Sequence, residues 1–312
     1  MFKYISIIII AILLCPLSTI HASEGGSSGY LQGSYGDFAS GMIGPSGFYM
    51  RNDLFFADSS IDVRALGGGI DGGVDQQVWG DLLKFAYVSD FKLWGGQYNA
   101  AMAIPIVLNA SVNGHGGGGG ISAYRGGDVS GIGDIFITPA ALAWSWENHH
   151  LNANLSFVLP TGGYDASRLL NTGRNYWSFD PTVNYTWLDP KRGHEFSFAL
   201  GYTVNWENPD TDYTTGDELH LDVMLAQHFS ASFAIGLTGY WYEQVTGDKG
   251  DLPFGFQASD FKGRGVGIGP AVLYASKIAG KDMTFILKWI TDIESKNRMD
   301  GDIFMISTAF KF

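Results

Sequence analysis

The last eleven residues, from Asp302 to Phe312, alternate strictly. Counted back from the end, one set is Phe312, Phe310, Thr308, Ile306 and Phe304. The other is Lys311, Ala309, Ser307, Met305 and Ile303. A period of two belongs to an extended strand with one apolar face and one small or polar face. A half-buried strand of a soluble sheet has the same period, so this stretch alone leaves two settings open. A strand that stops on a terminal Phe also has the form of the closing strand of a bacterial outer-membrane barrel, and the rest of the chain has to decide between them.

The pattern recurs in eleven further stretches, about Gly47–Phe56, Val74–Val88, Gln97–Asn109, Ile132–Trp146, His150–Leu159, Ser178–Leu188, Glu195–Trp206, Glu218–Phe229, Ser232–Val245, Gly263–Tyr274 and Met283–Thr291. The clearest sets Leu151, Ala153, Leu155, Phe157 and Leu159 against His150, Asn152, Asn154 and Ser156. In Ile132–Trp146 the outward set reads Phe136, Ala140, Leu142, Trp144 and Trp146. Gly263, Gly265, Gly267 and Gly269 share one face, which marks a bend in the wall or a close approach to it; the bend is the plainer reading. Connections after odd-numbered stretches run about ten residues or more, and those after even-numbered ones roughly three to nine, as long outer loops and short periplasmic turns require. Among the long ones, Ala57–Gly73 and the glycine run Gly116–Gly120 read as loops, the second mobile. Trp94, Trp144, Trp146, Tyr176, Trp177, Tyr185, Trp187, Trp206, Trp241, Tyr274 and Trp289 fall near strand ends, where aromatic girdles form. The expected fold is all-β, a transmembrane antiparallel up-and-down barrel of about twelve strands over residues 47–312.

Composition agrees. Aromatic residues make up 14%, charged residues only 16%, and there are 43 glycines, which suits curved strands with one face in lipid. Lys3, the apolar run Ile5–Leu14 and the small residue Ala22 describe a secretory signal peptide over residues 1–22. The single cysteine, Cys15, lies within it. Residues 23–46 are rich in Gly and Ser without a strand period, and read as a periplasmic or plug-like segment. A net charge of −12 argues against nucleic-acid partners. The expected partners are outer-membrane lipid, the barrel assembly machinery, for which Phe310 and Phe312 are the candidate signal, and a small-molecule substrate.

The candidate lumen set is Tyr49, Arg51, Asp53, Arg174, Asp180, Glu195, His220, Asp222 and Lys288. Opposed charges across a narrow barrel either fill it as a hydrated, salt-bridged interior or form a polar constriction that selects a solute. Both readings stand at this point. No catalytic set, metal site or cofactor is expected. His149, His150, His194, His220 and His228 carry no recognisable Ser–His motif, and Asp210, Asp212, Asp217 and Glu218 lack calcium-loop spacing.

Several stretches carry a family resemblance: Leu159–Asp165, Gly173–Pro181, Glu207–Tyr213, Gln244–Asp248 and Gly267–Pro270. With them the chain, from about Gly29 to its end, resembles the outer-membrane proteins associated with the meta-pathway of phenol degradation. The resemblance implies a transporter or channel role without defining a substrate; related barrels are associated with uptake of aromatic or other hydrophobic compounds, the class expected here. It implies no catalytic residues. The order of strands and loops places Arg174–Pro181 and Asn208–Tyr213 at the outer mouth, where they order the loops, through Arg–Asp pairing for instance, or form the way in. An outer-membrane lipid hydrolase and a structural or adhesive barrel are the alternative functions.

Overall fold

The computed structural model describes residues 29–65, 70–118, 121–168, 170–250 and 262–312. The signal peptide expected over residues 1–22 lies outside them. The strands are β1 (Gly47–Ala65), β2 (Ile70–Leu93), β3 (Gly96–Gly118), β4 (Ile121–Ile132), β5 (Ile135–Trp146), β6 (His149–Leu159), β7 (Ser178–Asp189) and β8 (His194–Asn205). Then come the two-residue strands β9 (Glu207–Asn208) and β10 (Tyr213–Thr214), β11 (Glu218–Ser230), β12 (Phe233–Gln244), β13 (Arg264–Ile278), β14 (Lys281–Lys296) and β15 (Asp300–Lys311). Thirteen of them form one sheet, every pairing antiparallel. It closes because β15 pairs with β1, from Tyr49 opposite Lys311 to Ser60 opposite Asp300. β4 and β5 both pair with β3 and make one stave interrupted at residues 133–134, so the wall has twelve staves. Closure is what lipid demands, since an open edge would leave backbone N–H and C=O groups unpaired in hydrocarbon.

Side chains sort inside out. Leu155, Leu200, Leu225, Leu237, Leu287 and Ile306 are exposed on the outer face, while Asp53, Asp180, Glu195, His220, Asp222 and Lys288 are buried within. That is the lipid-out, lumen-in alternation of a membrane barrel. The two-residue connections Trp94–Gly95 and Ala279–Gly280 place residues at positive φ, and both end in Gly. These tight turns share one end with the chain's entry into β1 and its exit from β15, which makes that end the periplasmic one.

Several local expectations change. The stretch Ala57–Gly73 is mostly strand, because β1 and β2 remain paired up to Ala65 and Ile70. Gly116, Gly117 and Gly118 stay in register with Ala123, Ser122 and Ile121, so the glycine run is a hairpin extension rather than a loop. Residues 119–120 lie outside the described residues. The connection after β14 shrinks to residues 297–299 as both flanking strands lengthen. Phe136 faces the lumen, not lipid. One extra residue between Ile137 and Ala140, relative to β6, shifts the parity within β5. Tyr176 is buried, its hydroxyl bonded to Thr215, and does not join the girdle.

Residues 29–46 descend the lumen, from Gly29 beside Arg174 to Ser46, whose carbonyl Lys311 bonds at the periplasmic end. Phe38 packs into a cluster with Met224, Ala234, Ala271 and Ile286. Tyr30 packs with Tyr240, Tyr242 and Ile290. Both apolar clusters join this segment to the inner wall of β11–β14, so it lies against one side of the barrel. The glycine row of β13 contributes in two ways. A β-bulge falls at Val266/Gly267, and a side chain on Gly267 would collide with the Tyr240 ring.

Candidate functional site

The candidate lumen residues gather at three anchorages for the segment. At the first, Asp37 lies 2.5 Å from Arg51 Nη1 and 3.0 Å from Lys288 Nζ. Arg51 Nε also contacts Asp53 at 2.6 Å, and Lys84 Nζ reaches the other Asp53 oxygen at 2.9 Å. Lys288 donates further to the carbonyls of Gly33 and Gly36, at 2.9 and 3.3 Å. Burial works to raise the Asp37 carboxyl, but Arg51 and Lys288 outweigh it and hold the group below its ordinary range.

At the second anchorage, Asp222 accepts the Tyr30 hydroxyl at 2.6 Å and the Gly36 N–H at 3.0 Å. Asp180 accepts from the Tyr35 hydroxyl and the Thr203 hydroxyl, both at 3.2 Å, and lies 3.0 Å from His220 Nε2. The His220 ring stacks on both tyrosines, with centroids 4.5 Å from Tyr30 and 5.2 Å from Tyr35. Burial first, then the neighbouring carboxylates, push both tyrosine hydroxyls well above their ordinary value, so they stay protonated donors. At the third, Glu195 accepts the Ala39 N–H at 2.6 Å and lies 2.6 Å from His228 Nε2, while Thr186 Oγ1 accepts the Gly41 N–H at 2.9 Å.

Tyr49 stands apart from these groups; its hydroxyl bonds the Pro45 carbonyl. Arg174 stands apart too, at the outer mouth. The loops there are ordered mainly by carboxylates accepting backbone N–H groups, beside one exposed Arg–Asp pair, Arg168 with Asp165 at 3.6 Å. Asp134 takes the N–H of Gly162 at 2.9 Å and of Arg174 at 2.7 Å. Asp248 takes the Gly216 N–H at 2.7 Å and the Tyr213 hydroxyl. Asn175 and Asn208 join the loops 160–177 and 206–217 at 2.9 Å.

Tyr30, Tyr35, Asp37, Lys84, Asp134 and Asp248 were not singled out by sequence reasoning. Lys84 offered a signal, as it sits opposite Arg51 on the lumen face. The segment residues offered none, having no period. The structure also brings Ser145 Oγ within 2.9 Å of His150 Nδ1 at the periplasmic rim. Among the described residues, no group of three or more His, Cys, Asp or Glu side chains converges on a metal position.

On the side opposite the segment a cavity of about 930 Å³ remains. The segment forms one wall of it through Tyr35, Ser40 and Ile43. Apolar residues such as Phe55, Leu82, Pro105 and Phe136, and the neutral polar residues Asn99, Asn152, Asn154 and Asn184, form the other. Arg51 and Lys84 border it with carboxylate partners already in place, and at its outer mouth it is bordered by Arg168, Arg174, Arg298, Asp134, Asp292 and Asp302.

The family described as "Putative MetA-pathway of phenol degradation" matches residues 60–308. An outer membrane channel from Pseudomonas putida F1 has the same fold, with a TM-score of 0.68 at 15% identity, covering 91% of this chain and 100% of that one. The β domain of the Bordetella autotransporter Brka gives a TM-score of 0.44 at 13% identity, covering 86% of this chain and 100% of that one. A Pseudomonas aeruginosa FadL homologue gives 0.40 at 9%, covering 89% and 94%. No curated protein matches the chain in sequence.

Proposed function

The chain belongs to the family described as "Putative MetA-pathway of phenol degradation", and from that premise we propose that it is an outer-membrane channel for small aromatic or other hydrophobic compounds. The observation that carries the reading is the cavity of about 930 Å³ left beside the segment inside a closed transmembrane barrel. Its volume falls within the range of small-molecule sites, and its mixture of apolar lining with a few placed polar groups is what such sites present. A general pore for charged or strongly hydrated solutes would carry free charge along a water-filled lumen. Here the charges at Arg51, Lys84, Asp53 and Lys288, deep in the lumen, are committed to ion pairs, while Arg174 and Arg298 border the cavity only at its outer mouth.

Segment 29–46 acts in this reading as a plug that blocks bulk flow and forms one wall of the path. The alternatives gain less. Ser145 and His150 lie 2.9 Å apart, but no carboxylate is hydrogen-bonded to that imidazole among the described residues, and an activated nucleophile needs an orienting third group. The test is uptake into liposomes carrying the reconstituted protein, phenol and cresols against sugars of similar size. Selective entry of the phenolics is expected, and equal permeation of both classes would refute the selectivity.

A further inference from the structure

Buried polar atoms in native proteins are almost always hydrogen-bonded, so unpaired ones around a cavity ask for a partner. Three of the neutral groups lining this cavity hold such atoms: Ser40 Oγ, Asn99 Nδ2 and Asn152 Oδ1. Asn99 is only 8% exposed. Exchanging the nitrogen and oxygen of either carboxamide leaves a donor or an acceptor equally unpaired at that place.

Asn99 and Asn152 lie within one rung of each other along the barrel, on either side of β5. Asn99 is the fourth residue of β3 and Asn152 the fourth of β6, both strands rising from the periplasmic end. Across the wall, Asn99 is in register with Ala141, and Ala141 with Asn154. One rung nearer the periplasm, Ala143 is in register with Asn152, and Asn152 with Asn184. The alanines keep bulky side chains out of the intervening stave. Ser40 comes from the segment, whose neighbouring Gly41 bonds Thr186 on β7 at 2.9 Å. Higher up the same wall the lining turns apolar: Phe136 stands opposite Ala103 and Leu82 opposite Pro105. The cavity therefore changes along its length: amide-lined towards the periplasm, apolar in its middle, and charged at the outer mouth, where Arg174, Asp292 and Arg298 border it.

We propose that Ser40, Asn99 and Asn152 form a headgroup subsite for an uncharged molecule with an apolar body and a terminal hydroxyl, bound hydroxyl-first towards the periplasm. A hydroxyl both donates and accepts, so it can satisfy a carboxamide and a serine together. A hydrocarbon leaves the three atoms unpaired. At this level a carboxylate meets only neutral dipoles, because Arg51 and Lys84 are already held by Asp37 and Asp53 and the other cations of the lining, Arg168, Arg174 and Arg298, sit at the outer mouth; an ion buried without a counter-charge is disfavoured.

The inference rests on the channel reading above and deepens it. The test is equilibrium binding of phenol, toluene and benzoate to the full protein in detergent, at neutral pH, for the wild type and for Asn99→Leu and Asn152→Leu. Detergent partitioning is common to all proteins and cancels in the comparison. Each substitution should weaken phenol about three- to tenfold, as loss of one hydrogen bond does, and leave toluene within about twofold. Benzoate should bind the wild type more weakly than phenol. If a wall variant fails to fold, seen as loss of its heat-modifiable mobility, Ser40→Ala on the segment gives the same comparison. Equal weakening of phenol and toluene, an unchanged phenol affinity, or benzoate binding as tightly as phenol would overturn the subsite while leaving the channel reading intact. Failure of the wild type to bind either phenol or toluene would overturn both.

Discussion

Asp37 is the residue through which the segment's position can be tested most sharply. Its carboxylate bridges two cations on opposite sides of the barrel seam, Arg51 on β1 and Lys288 on β14. Asp37→Ala leaves Arg51 with Asp53, but leaves Lys288, only 4% exposed, with the Gly33 and Gly36 carbonyls alone. Breaking a buried ion pair from one side costs about 3–5 kcal/mol. At about 1.4 kcal/mol per factor of ten, that shifts the balance between docked and released segment by roughly two to nearly four orders of magnitude. The wall stays intact, because its ladder hydrogen bonds do not involve the segment. The anchorages at Asp222, Glu195 and Thr186 still favour docking, so release should show as rare openings rather than a permanent pore. Two readouts apply: single-channel recording in planar bilayers, and maleimide labelling of a Leu31→Cys reporter within the segment. More frequent openings and faster labelling are expected. Lys288→Met should act similarly, and the double variant should cost clearly less than the sum of the two, by about 1 kcal/mol or more, as contacting residues do. Strictly additive effects, or labelling unchanged by Asp37→Ala, would refute the idea that this ion pair holds the segment.

Three further outcomes follow from the same geometry. Asp134→Ala removes the acceptor of two backbone N–H groups, each worth roughly 1.5–3 kcal/mol with a charged acceptor, so limited proteolysis within residues 160–177 should accelerate while the barrel keeps its heat-modifiable mobility; wild-type protection would count against it. Deleting Phe312, whose N–H bonds the Phe48 carbonyl and whose ring lies under Lys281, should lower outer-membrane levels without altering the conductance of the molecules that do insert; normal levels of the truncation would contradict this. Because the Asp37 carboxyl is held below its ordinary value when docked, its contribution is fully present above the free value of about 4 and is lost as pH falls through the docked value. Bilayer recordings should therefore show opening rise below about pH 4, and Asp37→Asn should remove that part of the pH dependence.

The wall was legible because alternation is a local property. Each stave carries its own record of which side chains meet lipid, and parity alone put Arg51, Asp53, Asp180, Glu195, His220, Asp222 and Lys288 inside. Where parity breaks, sequence reading failed. The extra residue in β5 sent Phe136 to the wrong face, since a bulge is a feature of the pair of strands and not of either sequence. Strand length was also underestimated at β1, β2 and β3. Glycines read as loop signals, yet Gly72, Gly73, Gly116 and Gly117 pair in a ladder that runs beyond the amphipathic stretch.

The segment is the harder case, and the reason is physical. Residues 29–46 form no strand, so no period could announce their place; their conformation is dictated by what the lumen offers. Yet the lumen set itself held an imbalance. Asp180, Glu195 and Asp222 give three inward carboxylates on β7, β8 and β11, a side of the barrel where inward cations are scarce, while Arg51 and Lys288 sit near the seam. Buried carboxylates need donors. A chain that forms no sheet has unpaired backbone N–H groups to give, and Gly36 and Ala39 supply two of them, with the Tyr30 and Tyr35 hydroxyls alongside. Asp37 then meets the cations that the acids of that side do not reach. A surplus of inward acceptors on a barrel wall, together with an aperiodic Gly- and Tyr-containing segment ahead of the first strand, is a combination that points to a segment in the lumen from sequence alone.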